Sequence, residues 1–158
     1  MLVSQFARAM IYSAPDLTQH PPRSPRTRLG GFVILARMLD KCRATIAGKS
    51  GEYHFDCPLD RKLFAFVGVD ADAVRAAVAS GKSDSEMLAW LHENARTPRM
   101  PDEIAAWSAL RAEDKPLDMA QRAHFNKLQE AFAPDRNDLG TWYDLHDLDD
   151  YVTFGGRP

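Results

Sequence analysis

The apolar positions between residues 25 and 47 predict one long central helix. One stripe at helical spacing consists of Leu29, Phe32, Leu35, Ala36, Leu39 and Ile46. A second stripe consists of Ile34, Met38 and Cys42, so we expect this helix to be covered on two sides. Ser24 followed by Pro25 is typical of a helix start, and Gly48 suits the left-handed position just after a helix end.

Two consecutive glycines, Gly30 and Gly31, fall within the first turns of this predicted helix. In a helix interior, each glycine costs about 1 kcal/mol relative to alanine. The pair therefore indicates one of two things. Either another backbone or a ligand approaches closely at this point, or the first turn of the helix is irregular.

Residues 1–22 are predicted to lie outside the helical domain. Residues 1–13 form an apolar leader that Arg8 interrupts, too short for a membrane span and without the features of a secretory signal. The segment from Pro15 to Pro25 contains four prolines, which favour an extended arm. The predicted division is a leader and arm over residues 1–22 and a single helical domain over residues 23–158.

The segment 51–56 alternates between apolar and polar side chains, which predicts a short strand. Its predicted partner is the run from Tyr151 to Phe154, which also favours β structure. Directly after the segment, Cys57 at the N-cap and Pro58 at the first helical position begin a predicted helix that reaches about Val67.

Helix-start signals recur through the rest of the chain. They are Asp70, Ser83 with Glu86, Pro101, Asp118 with Gln121, and Thr141 with Asp144. The fold is therefore predicted to be mainly α. It is a single compact domain of six or seven helices around the central helix at about 25–47, with one short two-stranded β element.

Composition and charge narrow the class of protein. Of the 158 residues, 45% are hydrophobic and 27% are charged, and the formal net charge is −2. This balance argues against a protein that coats nucleic acid, and no apolar run predicts contact with a membrane. Two cysteines without a CxxC pair favour a reduced, cytoplasmic protein.

The charges are unevenly distributed along the chain. Residues 23–49 contain seven Lys or Arg and one Asp, whereas residues 138–150 contain five Asp and no Lys or Arg. Oppositely charged segments within one domain attract each other. We therefore expect the basic segment and the acidic segment to pair inside one fold.

Cys57 is the leading candidate for a reactive residue. A thiol at a helix N-terminus lies near unpaired backbone N–H groups and the positive end of the helix dipole, and both favour the thiolate. His54 as base, Asp60 as its orienting group and Arg61 as a cation are near in sequence, so the predicted catalytic residues are Cys57, His54 and Asp60. Because His54 and Cys57 would point to opposite faces of a strand, the pair needs a bend before Cys57. The alternative is a buried cysteine that acts as a small apolar side chain.

A metal site is a weaker hypothesis. The run His54, Asp56, Cys57 and Asp60 carries ligand atoms, but its spacing matches no zinc signature. His92, His124 and His146 could join it only through folding. We therefore assign no metal ligand, and the sequence identifies no cofactor.

Arginines around the predicted helix start at Ser24 suggest an anion-binding site. A helix N-terminus offers backbone N–H donors, and arginine forks suit carboxylate or phosphate. The predicted ligand-binding residues are Arg26, Arg28, Glu52, Tyr53 and Arg61. The alternative is that carboxylates of the protein itself pair with these arginines. No GxxxxGK[ST], GxGxxG or GxSxG motif supports a nucleotide site or a hydrolase elbow.

Five short sequence motifs stand out from the rest of the chain. They are PRSPRTRLGG at 22–31, LDKCRA at 39–44, GEYHFDCPLDR at 51–61, SDSEMLAWL at 83–91 and TWYDLHDLDD at 141–150. Together they resemble a bacterial family catalogued as a domain of unknown function, over nearly everything after the leader. The resemblance implies a small soluble bacterial protein and supplies no mechanism.

Two functions remain open from the sequence. The first is a protein that binds, or acts as an enzyme on, a small anionic molecule. Its site would lie between the helix start at 24–31 and the segment 52–61, so the two helix starts must open onto one cavity. The second is a non-catalytic interaction or regulatory module, for which association into a homo-oligomer is the predicted partnership.

Overall fold

The computed structural model describes residues 14–158, and the predicted leader at residues 1–13 lies outside the described residues. Between residues 14 and 158 the chain forms seven helices, which confirms the mainly α prediction. In chain order they are α1 (Leu35–Ile46), α2 (Pro58–Val67), α3 (Ala71–Ala79), α4 (Asp84–Asn94), α5 (Pro101–Ala112), α6 (Met119–Phe132) and α7 (Trp142–Thr153). Within the same range, no helix has both the length and the apolar character needed to cross a bilayer.

The predicted two-stranded β element is wrong. Residues 51–56 form turns, and Tyr151 to Thr153 are the last residues of α7. Left-handed backbone at Gly51 (φ 56°) and Asp56 (φ 61°) bends the chain at both ends of the segment. The alternating pattern has another cause: Phe55 turns inward against the core while polar neighbours face outward.

The central helix begins at Leu35 and not near residue 25, so the first part of the predicted helix is also wrong. Gly30 (φ 58°) and Gly31 (φ 84°) form a tight turn in the left-handed region. Across this turn, Leu29 and Phe32 exchange two backbone hydrogen bonds of 3.0 Å each. Two successive left-handed residues cannot continue a right-handed helix. The alternative of an irregular start is therefore confirmed.

The residue before α1 is held in a conformation that its side chain disfavours. Ile34 is β-branched and fully buried, yet its φ is 73°. Its backbone N–H donates to the Pro25 carbonyl at 2.9 Å. Nearby, the buried Ser108 hydroxyl accepts from the Val33 N–H at 3.1 Å and donates to the Gly31 carbonyl at 2.7 Å. The hydrogen bonds to Pro25 and to Ser108 of α5 fix where the helix starts.

Helix α1 is the centre of the molecule, and the prediction that it is covered on two sides is confirmed. It contacts α2 and α3, and both apolar stripes are buried except for Leu29 and Ile46, which are partly buried. Burial extends to charged side chains on the same helix: Arg37 is 4%, Asp40 9% and Lys41 3% exposed. Buried charges are stable only when they are paired.

The predicted pairing between the basic and acidic segments is confirmed. Arg37 forms a buried ion pair with Asp150, with 2.7 Å between Nη1 and Oδ2. Arg26 pairs with Asp144 and lies 3.5 Å from an Asp147 oxygen. The start of α7 and its last turn are thereby attached to the loop before α1 and to α1 itself.

The proline-rich arm from residue 14 onward has no helix or strand, as predicted, but it is attached to the domain. Leu17 is 1% exposed, and its N–H donates to the Lys49 carbonyl at 2.9 Å. The Arg23 guanidinium forms ion pairs with Asp40 at 2.9 Å and with Asp84 at 2.7 Å. Its hydrogen bonds to Asp84 hold the pKa of that carboxyl below its usual value. The domain boundary at residues 22/23 stays a prediction.

The remaining helix starts agree with their sequence signals. Capping boxes at Ser83 and Thr141 and a side-chain cap at Asp118 are all formed. Cys57 occupies the N-cap of α2 with Pro58 at the first helical position.

The turn before α1 yields a stability prediction for Gly30→Ala. The added Cβ would lie 2.4 Å from the Leu88 side chain in a backbone that already disfavours L residues. We expect a loss of about 2–3 kcal/mol in the free energy of unfolding, measured by urea titration. Gly48→Ala, which has a similar φ of 69° and no atom within 4 Å, is the matched control. Equal losses in the two variants would contradict a tight contact with Leu88.

Candidate functional site

A pocket of about 240 Å³ lies between α1, the 52–57 segment and α7. It collects ionisable side chains of several kinds, as small-molecule sites commonly do. The lining residues are Arg37, Lys41, Glu52, Tyr53, His54, Cys57, Leu59, His146, Asp149 and Thr153.

Four of the residues predicted from the sequence line this pocket together. They are Glu52, Tyr53, His54 and Cys57, which enter on one turn-rich segment. The bend that the His54–Cys57 pair needs is supplied by the left-handed Asp56. Their roles in binding or catalysis stay predictions.

The other predicted residues do not line the pocket. No helix starts at Ser24, so two helix starts do not meet at one cavity, and that part of the prediction is wrong. Arg26 instead donates to the Thr141 hydroxyl at 3.1 Å and pairs with Asp144. Internal pairing, the alternative considered for these arginines, is what occurs at Arg26.

Two further arginines predicted to clamp an anion also lie outside the pocket lining. Arg28 is exposed and makes no hydrogen bond or ion pair within residues 14–158. Arg61 is 66% exposed at its side chain and pairs with Asp56 at 3.1 Å. Asp60, predicted to orient a base, is fully buried and binds Lys41 instead of a histidine.

The sequence reasoning missed the pocket residues that come from helices. Arg37 and Lys41 are four residues apart on α1, and His146 and Asp149 are three apart on α7, so each pair shares a helix face. A signal was present for the first pair. Two cations on one face of a helix whose apolar stripes predict burial on two sides are themselves expected to be buried, and buried cations need partners.

Lys41 is the best-defined group in the pocket wall. Its Nζ lies 2.9 Å from both carboxylate oxygens of Asp60 and 3.1 Å from the Cys57 sulfur. An ammonium has three N–H donors. The three contacts therefore use all of them, and the third donor points at the thiol.

The Asp60 carboxylate is held from two sides. Its Oδ2 also accepts the backbone N–H of Asp56 at 3.0 Å. Burial raises the pKa of Asp60, and the Lys41 ammonium opposes that effect. The pair is thus a buried cation and carboxylate that neutralise each other directly beneath the pocket.

Cys57 presents its sulfur to the pocket instead of to the helix end. As N-cap of α2 it makes no side-chain capping hydrogen bond, so Lys41 is the hydrogen-bond donor found at the sulfur within the described part of the chain. The residue is partly exposed. The other cysteine, Cys42, is fully buried, and burial raises the pKa of its thiol to about 12.

The second wall of the pocket is a hydrogen-bonded triad. Asp150 accepts from Arg37 at 2.7 Å and, through its other oxygen, from the Tyr53 hydroxyl at 2.7 Å. Burial and the bond to Asp150 both raise the pKa of Tyr53, so its phenol stays protonated at neutral pH. Tyr53 is therefore fixed as a donor to Asp150.

The α7 side of the pocket carries a neutral imidazole and a carboxylate. Burial lowers the pKa of His146 to about 4, and the Arg37 cation adds to this effect. Burial raises the pKa of Asp149, and Glu52 contributes in the same direction. Neither Glu52 nor Asp149 forms an ion pair within residues 14–158, whereas both cations of the pocket are paired.

The hypothesis of a metal site gains no geometric support. Among the residues that the structure describes, no group of three His, Cys, Asp or Glu side chains is arranged to hold a metal ion. Two members of the sequence cluster have other partners, since Asp56 binds Arg61 and Asp60 binds Lys41.

The buried Lys41–Asp60 pair predicts a large, partner-dependent effect on stability. Lys41→Met leaves a buried carboxylate without its cation, and we expect a loss of about 3–5 kcal/mol in the free energy of unfolding. The double variant Lys41→Met/Asp60→Asn removes both charges and is expected to recover most of that loss. Urea titration measures both. A double variant no more stable than Lys41→Met would show that the pairing is not the cause.

His146 predicts a pH dependence of stability. The pKa is about 4 in the folded state and about 6.5 in an unfolded chain, so between these values only the unfolded state binds the proton. The free energy of unfolding therefore falls as the pH falls through this window, by up to about 3 kcal/mol. Above the window His146 has no effect.

Urea titrations of native protein and His146→Gln between pH 7 and 5 measure this effect above the main titration of carboxylates. We expect the variant to lose part of the native slope, with His20→Gln at an exposed position as the substitution control. Identical slopes in native protein and His146→Gln would contradict a half-buried imidazole that stays neutral in the folded state.

Comparison with known proteins places the chain in one family. A family model described as "Domain of unknown function (DUF5069)" matches residues 19–152. No match was found among curated proteins. The matched range contains every residue of the pocket except Thr153. Since the model covers most of the chain, this protein belongs to the DUF5069 family.

Proposed function

We propose that this protein binds a small molecule with one anionic group in the pocket between α1, the 52–57 segment and α7, and that the Cys57 sulfur acts on it as a nucleophile. The observation that carries the proposal is the contact of 3.1 Å between Lys41 Nζ and the Cys57 sulfur. The contact lies in the wall of a pocket large enough for a small ligand.

The Lys41 contact favours a reactive sulfur for an electrostatic reason. A thiolate is a much better hydrogen-bond acceptor than a neutral thiol, and it is also the nucleophilic form. Two hydrogen bonds to Asp60 fix the ammonium, so its third donor reaches the sulfur without further ordering. The position of Cys57 at the N-terminus of α2 acts in the same direction.

The charge of the pocket limits the class of molecule that it can accept. Arg37 and Lys41 supply positive charge, but each is already paired with a carboxylate. Glu52 and Asp149 add negative charge to the lining. This balance disfavours a polyanion, so the proposed ligand carries a single anionic group, which has to lie directly against Arg37 or Lys41 and away from Glu52 and Asp149. A volume of about 240 Å³ also favours a small molecule.

Proton transfer in this site is assigned to the histidines. His54 lines the pocket from the same segment as Cys57, so it is our candidate for accepting a proton from the thiol or from the bound molecule. His146 is neutral at pH 7 and can accept a hydrogen bond from a ligand. Tyr53 positions Asp150 and thereby Arg37.

A second candidate function is association with another copy of the chain. Leu117 and Met119 are 87% and 91% exposed and line one surface groove before and at the start of α6. Exposed apolar side chains that lie together are typical of interaction surfaces. This candidate needs no chemistry at Cys57.

The reactivity of Cys57 under reducing conditions tests the proposed function. We expect iodoacetamide to alkylate Cys57 in native protein faster than in Lys41→Met/Asp60→Asn, by about tenfold at pH 7. A bound ligand from a panel of small monocarboxylates is expected to slow alkylation and raise the melting temperature. Mass spectrometry of the labelled peptide separates Cys57 from the buried Cys42.

Arg28→Ala is the matched control, because Arg28 is a predicted anion ligand that lies outside the pocket lining. It should change neither the alkylation rate nor the protection by carboxylates. Equal alkylation rates in native and double-variant protein, with no protection by any carboxylate, would contradict the proposed function. A change of molecular size with protein concentration in that case would favour association through the α6 surface.

A further inference from the structure

The contact between Lys41 and Cys57 brings together two groups that oxidation can join. An S···N separation of 3.1 Å is too long for a direct bond and suits a bridge of one intervening atom. Both residues line the pocket, so a dissolved small molecule can reach the two atoms. Cys57 is partly exposed, and solvent access makes a cysteine susceptible to oxidation.

The amine is held in place for such a reaction. Lys41 is 3% exposed, and its two hydrogen bonds to Asp60 hold the nitrogen beside the sulfur. An ammonium must lose a proton before its nitrogen can form a new bond. Asp60 is the nearest acceptor, and burial raises the pKa of its carboxyl, which favours taking up that proton.

Cys42 provides an internal contrast. It is fully buried and does not line the pocket. Burial keeps it as a neutral thiol at ordinary pH. The two cysteines of the chain therefore differ in access and in the presence of an amine at the sulfur.

We propose that Cys57 and Lys41 are a modification site at which dioxygen forms a covalent S–O–N bridge between the thiol sulfur and the lysine nitrogen. The thiol, the amine and one dioxygen molecule give the bridge and one water molecule. The S–H bond, one N–H bond of the amine and the O=O bond break, and the S–O bond, the O–N bond and the two O–H bonds of water form. Sulfur and nitrogen each lose two electrons, and dioxygen takes up all four. The proton released from the ammonium passes to Asp60.

The bridge would switch off the site, and this consequence rests on the proposed function. It consumes the thiol and removes the positive charge of Lys41, so the pocket loses its nucleophile and one of its two cations. Two molecules of a dithiol reductant, each oxidised to its disulfide, supply the four electrons and four protons that return the bridge to thiol, amine and water. The pocket would thus respond reversibly to oxidising conditions.

Intact-mass spectrometry of the full chain tests the bridge directly. After incubation in oxygen-saturated buffer, we expect a mass change of one oxygen gained and two hydrogens lost, reversed by dithiothreitol. Peptide mapping should join the fragments that contain Lys41 and Cys57. Cys42→Ala should form the bridge as native protein does, which excludes a disulfide between the two cysteines.

Two variants should fail to form the bridge for different reasons. Cys57→Ser removes the sulfur, and Lys41→Arg keeps a cation for Asp60 but offers no primary amine. Either variant forming the same joined fragments would overturn the proposal. So would an unchanged native mass after oxygenation, a gain of oxygen on Cys57 alone, or a loss of two hydrogens without oxygen in Cys42→Ala.

The test of the bridge and the test of the proposed function have independent outcomes. Formation of the bridge without ligand protection or Lys41-dependent alkylation would leave the modification site standing and remove the small-molecule function. Fast, protectable alkylation of Cys57 in reduced protein, with no bridge after oxygenation, would do the reverse.

Discussion

The structure depends on the need to pair the charges buried on its central helix. Helix α1 is covered on two sides, and Arg37, Asp40 and Lys41 are buried with the apolar residues of the same helix. Each finds its partner in a different part of the chain: Asp150 near the end of α7, Arg23 in the arm, and Asp60 in the first turn of α2. An unpaired charge at any of these positions costs several kcal/mol, so the three pairs specify how distant segments meet.

Local rules account for the parts of the fold that the sequence predicted. The capping boxes at Ser83 and Thr141 join neighbours three residues apart, so their signals are contained in a few letters. The errors arose where a tertiary contact overrode a local preference. Ser24 and Pro25 resemble a helix start, yet the Ser24 hydroxyl donates to Asp147 at 2.7 Å and the helix begins only after the glycine turn.

The candidate site was predictable only on the side where its residues are consecutive. Glu52, Tyr53, His54 and Cys57 could be selected from one short segment because the chain itself keeps them together. The opposite walls come from α1 and α7, which are far apart in sequence and meet through the Arg37–Asp150 pair. The sequence predicts this contact between α1 and α7 only as a general attraction between a basic and an acidic segment. A general attraction between two segments does not identify which residues pair. The sequence therefore assigns Arg26 to a ligand, although its partners in the structure are Asp144 and Asp147.

Because of the same pairing requirement, Lys41 contributes both to the stability of the fold and to the proposed chemistry of the pocket. Lys41 must be retained to neutralise Asp60. Without its ammonium, the buried carboxylate would keep the Asp56 N–H donor but would have no cation, and such a charge is unstable. Two of its three donors are used for that purpose, and the geometry directs the third at the Cys57 sulfur. The proposed polarisation of the thiol therefore requires no additional group that would destabilise the fold. It follows that a single substitution of Lys41 changes stability and the proposed reactivity together, and that the two separate only when Asp60 keeps a cation or loses its charge as well.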